Sequence, residues 1–145
     1  YSAGGLWWDF DNDGDLDLYV TDWRLKNRMY ENIGENQFAD ISVATGLDDP
    51  GNSWTALPID VNFDGLLDLY VSNDSQRNIL YVNENSTFVD KTEEYGLEDA
   101  GNGMGIAVGD YNNDGLFDIY VTNIHFNLPN PFFTRISKRS NDKKK

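Results

Sequence analysis

The sequence predicts an all-β protein: tandem, propeller-blade-like antiparallel sheets in about three repeats of roughly 50 residues, too few to close a ring. Three observations carry this expectation. A fourteen-residue segment recurs at intervals of 51 and 50 residues, starting at Asp9, Asp60 and Asp110. After each copy, apolar residues alternate with polar ones, the period of a pleated strand. No segment carries a persuasive 3.6-residue apolar stripe.

The copies read D-F-D-N-D-G-D-L-D-L-Y-V-T-D, D-V-N-F-D-G-L-L-D-L-Y-V-S-N and D-Y-N-N-D-G-L-F-D-I-Y-V-T-N. Leu16/Leu18/Val20, Leu67/Leu69/Val71 and Phe117/Ile119/Val121 line one face of the strand that leaves each loop. The interleaved Tyr19, Tyr70 and Tyr120 predict that the other face is covered too. Leu6–Asp9, Ala56–Asp60 and Ile106–Asp110 read as the strand entering each loop. Segments 27–32 and 78–83 match each other and read as a further strand, as do the segments around Phe38 and Phe88. Asn32-Ile33-Gly34-Glu35-Asn36 is a turn between them. A short helical turn fits near Val43–Gly46 and Glu93–Gly96. In the third copy, Asn130-Pro131-Phe132-Phe133 only loosely echoes the 27–32 strand, and no partner for Phe38 and Phe88 follows.

These matches divide the chain into repeat 1 over 1–50, lacking its lead-in, repeat 2 over 51–100, repeat 3 over 101–134, incomplete at its end, and a basic, mobile tail over 135–145. A start at Tyr1, inside a repeat, suggests a processed product or a fragment.

Composition excludes several functions. The net charge is −14, and residues 1–134 hold 24 acidic against 5 basic side chains. That body repels nucleic acid and anionic membrane. The tail over 135–145 holds 6 basic residues against 1 acidic and could dock on an acidic neighbour, though a solvated tail is the simpler reading. There is no cysteine, hence no disulfide and no thiolate metal site. No apolar run is long enough to span a membrane. A hydrophobic fraction of 39% is ample for a core.

The chemistry lies in the loops, which hold eleven of the 25 acidic residues. Counting from the first aspartate, positions 1, 3, 5 and 9 are Asp9, Asp11, Asp13 and Asp17. They are Asp60, Asn62, Asp64 and Asp68 in the second copy, and Asp110, Asn112, Asp114 and Asp118 in the third. Position 6 is Gly14, Gly65 or Gly115, where the chain must bend. Position 7 varies (Asp15, Leu66, Leu116), which implies a backbone carbonyl ligand there. Four side chains, one carbonyl and water make the six- or seven-oxygen shell that Ca2+ takes, whereas Mg2+ wants a stricter octahedron. The absence of His and Cys argues against zinc or copper. An EF-hand opens similarly but needs Glu at position 12 between helices. Here position 12 is Val20, Val71 or Val121 in a strand. Asp15 adds charge to the first loop, so that site is expected to be tightest. Acidic turns alone would favour Asp and Asn but not four oxygens at fixed spacing three times.

Other groupings are weaker. Aspartate pairs could serve as glycosidase carboxylates, but each clustered Asp already has a metal role. His125 has no nucleophile beside it. Trp7, Trp8, Trp23 and Trp54 could line a sugar-binding surface, although Trp7 and Trp8 lie on opposite faces of one strand, so at least one belongs to the core. Asn73-Asp74-Ser75 and Asn85-Ser86-Thr87 fit the glycosylation sequon.

The D-x-[DN]-x-D-G-x-x-D-[LI]-Y-V core, the N-x-x-Y-x-N strand and the F-x-D…G-L close resemble the FG-GAP/VCBS repeat family. They are most similar to the branch in bacterial secreted proteins and cartilage acidic protein. The resemblance covers roughly residues 1–135 and implies an extracellular, calcium-binding β-propeller of adhesion or display, of six or seven blades. The chain departs from it in holding fewer than three full blades.

The expectation is therefore a non-enzymatic extracellular structural module, with one Ca2+ per repeat and three per chain. Its partners would be other copies of itself, joined head to tail in a ring or filament, or the remainder of a propeller. Two alternatives stay open. One is an adhesion fragment of a larger propeller that binds a cell-surface protein or glycan. The other is a carbohydrate-binding accessory domain.

Overall fold

The computed structural model describes residues 2–99 and 101–124, together with the backbone of 132–135. Three antiparallel sheets follow one another along the chain. The first holds β1 (Ser2–Trp8), β2 (Asp17–Asp22), β3 (Arg28–Asn32) and β4 (Phe38–Asp40), in that order. A one-turn helix α1 (Ser42–Thr45) and a link lead to β5 (Ser53–Ile59), β6 (Asp68–Asn73), β7 (Ile79–Asn83) and β8 (Phe88–Asp90), again in sequential order. After α2 (Thr92–Tyr95) comes the third sheet, β9 (Gly103–Gly109), β10 (Asp118–Asn123) and β11 (Phe132–Arg135). The acidic loops are the hairpin connections β1–β2, β5–β6 and β9–β10.

Local chemistry explains the elements. β-Branched and aromatic residues at alternate positions form the strands. The β3–β4 turn is closed by Gln37 donating its N–H to the Gly34 carbonyl at 2.9 Å, with Gly34, Glu35 and Asn36 at positive φ. Both helical turns end on a left-handed glycine, Gly46 and Gly96, where residues with a Cβ are strained. The lead-in absent from the first repeat corresponds to the link between sheets in the others, and Ser2–Trp8 already supplies a first strand. In the third sheet β11 pairs with β10, from Asp118 opposite Arg135 to Val121 opposite Phe132. The loose echo around Phe132 therefore is a strand, and Asn130 and Pro131 lie outside the described residues. So do His125 and the basic tail beyond Arg135.

The sheets fan out from their first strands: β5 lies against β1 and β2, and β9 against β5 and β6. One apolar cluster fills the space between sheets one and two, with Trp8, Phe10, Tyr19, Met29 and Leu47 facing Leu69, Val71, Ile79, Tyr81 and Phe88. A second sets Ile59, Val61, Tyr70, Leu80 and Leu97 against Ile119 and Val121. Equivalent positions recur: Tyr70 and Leu80 do for the second junction what Tyr19 and Met29 do for the first. Every sheet thus turns the same face toward its successor. The middle sheet is covered on both sides, and each residue of β6 and β7 is buried.

The two end faces differ. Among the described residues, no sheet lies against the face of sheet one that matches Leu67, Leu69, Val71 and Phe88. Trp7 is 56% exposed there, Leu16 54% and Phe38 43%. On the opposite end face, Tyr111 is 78% exposed, whereas its equivalents Phe10 and Val61 are buried. No helix among the described residues is long and apolar enough to cross a membrane.

A polar staple locks each junction, and it was not apparent in the sequence. Asn27 donates its backbone N–H to the Asp49 carbonyl (2.9 Å) and its side-chain amide to Ser53 Oγ (2.7 Å). Its Oδ1 accepts from the Asp22 N–H at 2.9 Å. Ser53 Oγ donates to Asn73 Oδ1 (2.7 Å), and Gly51 N–H donates to Asp49 Oδ1 (2.9 Å). At the next junction Asn78 N–H donates to the Asp99 carbonyl, Gly101 N–H to Asp99 Oδ1, and Asn123 Nδ2 to Asp99 Oδ2, each at 2.9 Å. A Cβ on Gly101 would lie 2.6 Å from the Asn123 side chain, so glycine is required by close approach. Burial raises the pKa of Asp49, opposed by the Gly51 N–H and the Asn73 amide. Asn73 is fully buried and bonded in this staple, so the first sequon is closed in the folded chain, while Asn85 of the second is exposed.

The repeat supplies a matched pair for testing the packing. In calcium-containing buffer, Leu69→Ala, which empties a fully buried site, should cost about 2–5 kcal/mol in urea unfolding. The equivalent Leu18→Ala, at a half-buried site on the open end face, should cost about 1 kcal/mol, between the ~0.5 kcal/mol of a surface change and the loss at Leu69. Equal losses would show that the end face is covered.

Candidate metal centre

Each acidic loop closes on its own carboxylates through the same hydrogen bonds. In the first, Asp9 accepts from the Asp13 N–H (3.1 Å) on one oxygen and the Gly14 N–H (3.1 Å) on the other. Asp11 Oδ1 accepts from Asp13 N–H at 3.3 Å, and Asp13 Oδ1 from Asp15 N–H at 2.9 Å. The second loop repeats this, with Asp64 N–H donating to Asp60 (3.2 Å) and Asn62 (3.0 Å), Gly65 N–H to Asp60 (3.0 Å), and Leu66 N–H to Asp64 (2.8 Å). The third does so with Asp114 N–H to Asp110 (3.0 Å) and Asn112 (3.1 Å), Gly115 N–H to Asp110 (2.8 Å), and Leu116 N–H to Asp114 (2.9 Å).

Backbone conformation makes the cradle possible. Gly14, Gly65 and Gly115 have φ of 95°, 88° and 80°, with nothing near the first two that a Cβ would strike. Glycine is therefore there for its φ and not for lack of room. Position 4 is also left-handed: Asn12, Phe63 and Asn113 have φ of 62°, 60° and 58°. Asn is a natural occupant of that region; Phe63 is not. Phe63 stacks on Phe117 of the next loop, with centroids 5.9 Å apart and planes 13° apart. The preceding pair of loops touches too, Asn12 Nδ2 donating to the Gly65 carbonyl at 3.4 Å.

Position 9 ties the cradle to the sheet. Asp17, Asp68 and Asp118 are buried. Asp68 Oδ2 accepts from Val61 N–H and Oδ1 from Asn83 N–H, both at 2.8 Å. Asp17 accepts in the same way from Phe10 (3.3 Å) and Asn32 (2.9 Å). Burial drives both acids up to about 6, against the lowering effect of those N–H donors, and neighbouring loop aspartates raise them further. Asp15 is raised by burial and then by Asp13, Asp11 and Asp9, and its buried Oδ1 has no hydrogen-bond partner. Oxygens this crowded and this short of positive charge suit a hard cation.

In the first loop, Asp9, Asp11 and Asp17 each bring a carboxylate oxygen within 4.8 Å of the others, a spacing that could hold a metal ion. Asp13 lies outside that trio. In the other loops Asn62 or Asn112 replaces the middle acid. The tryptophans separate: Trp8 is core and Trp7 lies on the open end face, while Trp23 and Trp54 meet at the far end of the sheets.

Loops and sheets of this kind have a family. The profile of the FG-GAP-like repeat family matches the chain twice, over residues 9–71 and 60–121, and the chain belongs to that family. Each match runs from one loop through the next, and the sheets are propeller-blade-like. A comparison with curated proteins returns no significant match.

The raised acids give a pH dependence with a definite sign. In chelator, protonated Asp17 and Asp68 favour the fold; this contribution is complete below about pH 4 and is lost as pH rises through about 6. Asp22, lowered chiefly by the Arg24 N–H, and Asp40, lowered chiefly by Ser42, act oppositely, but below about pH 4. The metal-free melting temperature should therefore fall between pH 4 and 6.5, and Asp17→Asn with Asp68→Asn should flatten that fall. A metal-free melting temperature that rises across this window would contradict the assignment.

Proposed function

We propose that the chain is a non-enzymatic, calcium-stabilised structural module of an extracellular protein. It would bind one Ca2+ per repeat, three per chain, and its end faces would pack on further blades of a propeller or on other copies of the chain. The observation that carries this reading is the recurrence, in three loops at the same end of three sheets, of one cradle of backbone N–H bonds to the side chains at positions 1, 3 and 5. The proposed ligands are the side chains at positions 1, 3, 5 and 9, with the carbonyl of Asp15, Leu66 or Leu116 and water. For Asp13, Asp64 and Asp114 to join, the second carboxylate oxygen, not the one held by position 7, would face the ion; Asp64 and Asp114 would then give up the bond that this oxygen accepts from Asn62 Nδ2 (2.7 Å) and Asn112 Nδ2 (3.2 Å).

The ion would supply positive charge where the buried carboxylate has only N–H dipoles. At ~1 mM Ca2+ and a dissociation constant of ~10⁻⁴ M, each site would add about 1.4 kcal/mol. Sites of that affinity would fill outside cells and stay empty at cytosolic calcium, in keeping with the extracellular setting proposed. The end faces support the assembly: Leu16, Leu18, Val20 and Phe38 repeat the positions that sheet two already buries against sheet one. In this reading the clustered aspartates serve the ions and not hydrolysis, which is why the module is proposed to be non-enzymatic.

Calorimetric titration with Ca2+ should give three sites, the first tightest, and Asp9→Ala, Asp60→Ala or Asp110→Ala should each remove one. Chelation should lower the melting temperature by roughly 8–16 °C, the shift expected for about 4 kcal/mol in a domain of this size. No binding heat together with an unchanged melting temperature would overturn the proposal.

A further inference from the structure

We propose that Trp23 and Trp54 form a ledge that binds a neutral saccharide, at the end of the sheets opposite the acidic loops. Trp23 follows the last residue of β2 and Trp54 is the second residue of β5. Their ring centroids lie 6.0 Å apart with planes tilted by 36°. Both rings are partly exposed. Trp23 is fixed from the neighbouring sheet, its Nε1–H donating to Asp74 Oδ2 at 3.2 Å. The Arg24 guanidinium sits 4.6 Å from the Trp23 ring centroid.

The repeats show that the fold does not require this pair. Trp54 is the extra residue of a β-bulge between Ser53 and Thr55. The same irregularity falls at Ala3 in β1 and at Met104 in β9. A bulge re-aims a side chain, and here it turns Trp54 onto the preceding sheet. The position of Trp23 is held by Asp74 and Ile124 in the other repeats. Aromatic residues occupy both positions only at the first junction, although both junctions share the bonds of Asn27 or Asn78 to the Asp49 or Asp99 carbonyl and of Gly51 or Gly101 to its carboxylate.

The geometry selects the ligand class. The two indoles, with centroids 6.0 Å apart and Arg24 over one face of Trp23, offer an apolar surface on their uncovered parts and leave no gap between them for an ammonium group, which a cation cage would need. Asp74, Ser75 and Asn102 lie beside it, joined by Ser75 Oγ donating to Asp74 Oδ1 at 3.1 Å and Ser75 N–H to Asn102 Oδ1 at 3.2 Å. An apolar wall with a few placed polar groups matches a pyranose, which has an apolar C–H face and a hydroxyl rim. The net charge of −14 disfavours anionic sugars.

The test uses the full chain in calcium-containing buffer with neutral hexasaccharides of glucose, N-acetylglucosamine, mannose and galactose. It does not depend on the metal assignment, since any condition that keeps the chain folded suffices. At least one hexasaccharide should bind by calorimetry and shift tryptophan fluorescence. Trp54→Met and Trp23→Ile, the residues the third repeat carries at these positions, should each weaken binding more than tenfold while the circular dichroism spectrum is unchanged. Should one variant fail to fold, the other decides. Absence of binding to all four sugars, or binding unaltered in a folded variant, would overturn the proposal.

Discussion

A carboxylate placed where water cannot solvate it is the constraint around which each repeat is arranged. Asp17 and Asp68 each join three pieces of chain: the loop, through the N–H after its first aspartate; the strand leaving the loop; and the next strand, through Asn32 or Asn83. This makes the loop part of the sheet and not an appendage to it. It also leaves the site with excess negative charge, because N–H dipoles offset only part of the cost of burial. The left-handed glycine, the side chains at positions 1 and 3 (Asp, then Asp or Asn) and the second left-handed residue at position 4 all serve to gather oxygens above that one group.

Much of this was legible in the sequence because the repeat makes patterns count three times. The loop register, the strands on either side of it and the helical turns at Ser42 and Thr92 all follow from alignment of the copies with one another. The direction in which each face looks was not legible. Period-two alternation says that Leu69 and Tyr70 point opposite ways, but not which of them meets the preceding sheet. The staple was hidden for a related reason: Asn27 and Asn78 read as strand residues and Asp49 and Asp99 as link residues, and only folding brings them together. Position 4 was missed because Phe63 conceals a preference for left-handed backbone that Asn12 and Asn113 display. The meeting of Trp23 and Trp54 depends on a bulge, which shifts the alternation by one residue where a sequence pattern offers no warning.

The two kinds of junction chemistry divide the work. Apolar side chains between the sheets supply the driving force for stacking, which is non-directional. The buried Asn27 and Asn78 contacts across the junctions add direction, since a sheet displaced along its neighbour would break their bonds to the Asp49 and Asp99 carbonyls and leave buried amides without partners. At the loop end, the bond from Asn12 to Gly65 and the Phe63–Phe117 stack link adjacent cradles, so each junction is gripped at both extremities.

Because every sheet looks the same way along the series, the stack has a front and a back that are chemically different. Tyr111 belongs to one, Trp7 and Phe38 to the other. A twofold axis relating two such units would bring like surface to like and leave its counterpart wet on both partners. Only translation or a rotation of constant sense can satisfy both surfaces together. The unit is therefore a vector, and any equivalent piece added to the stack would have to face the same way.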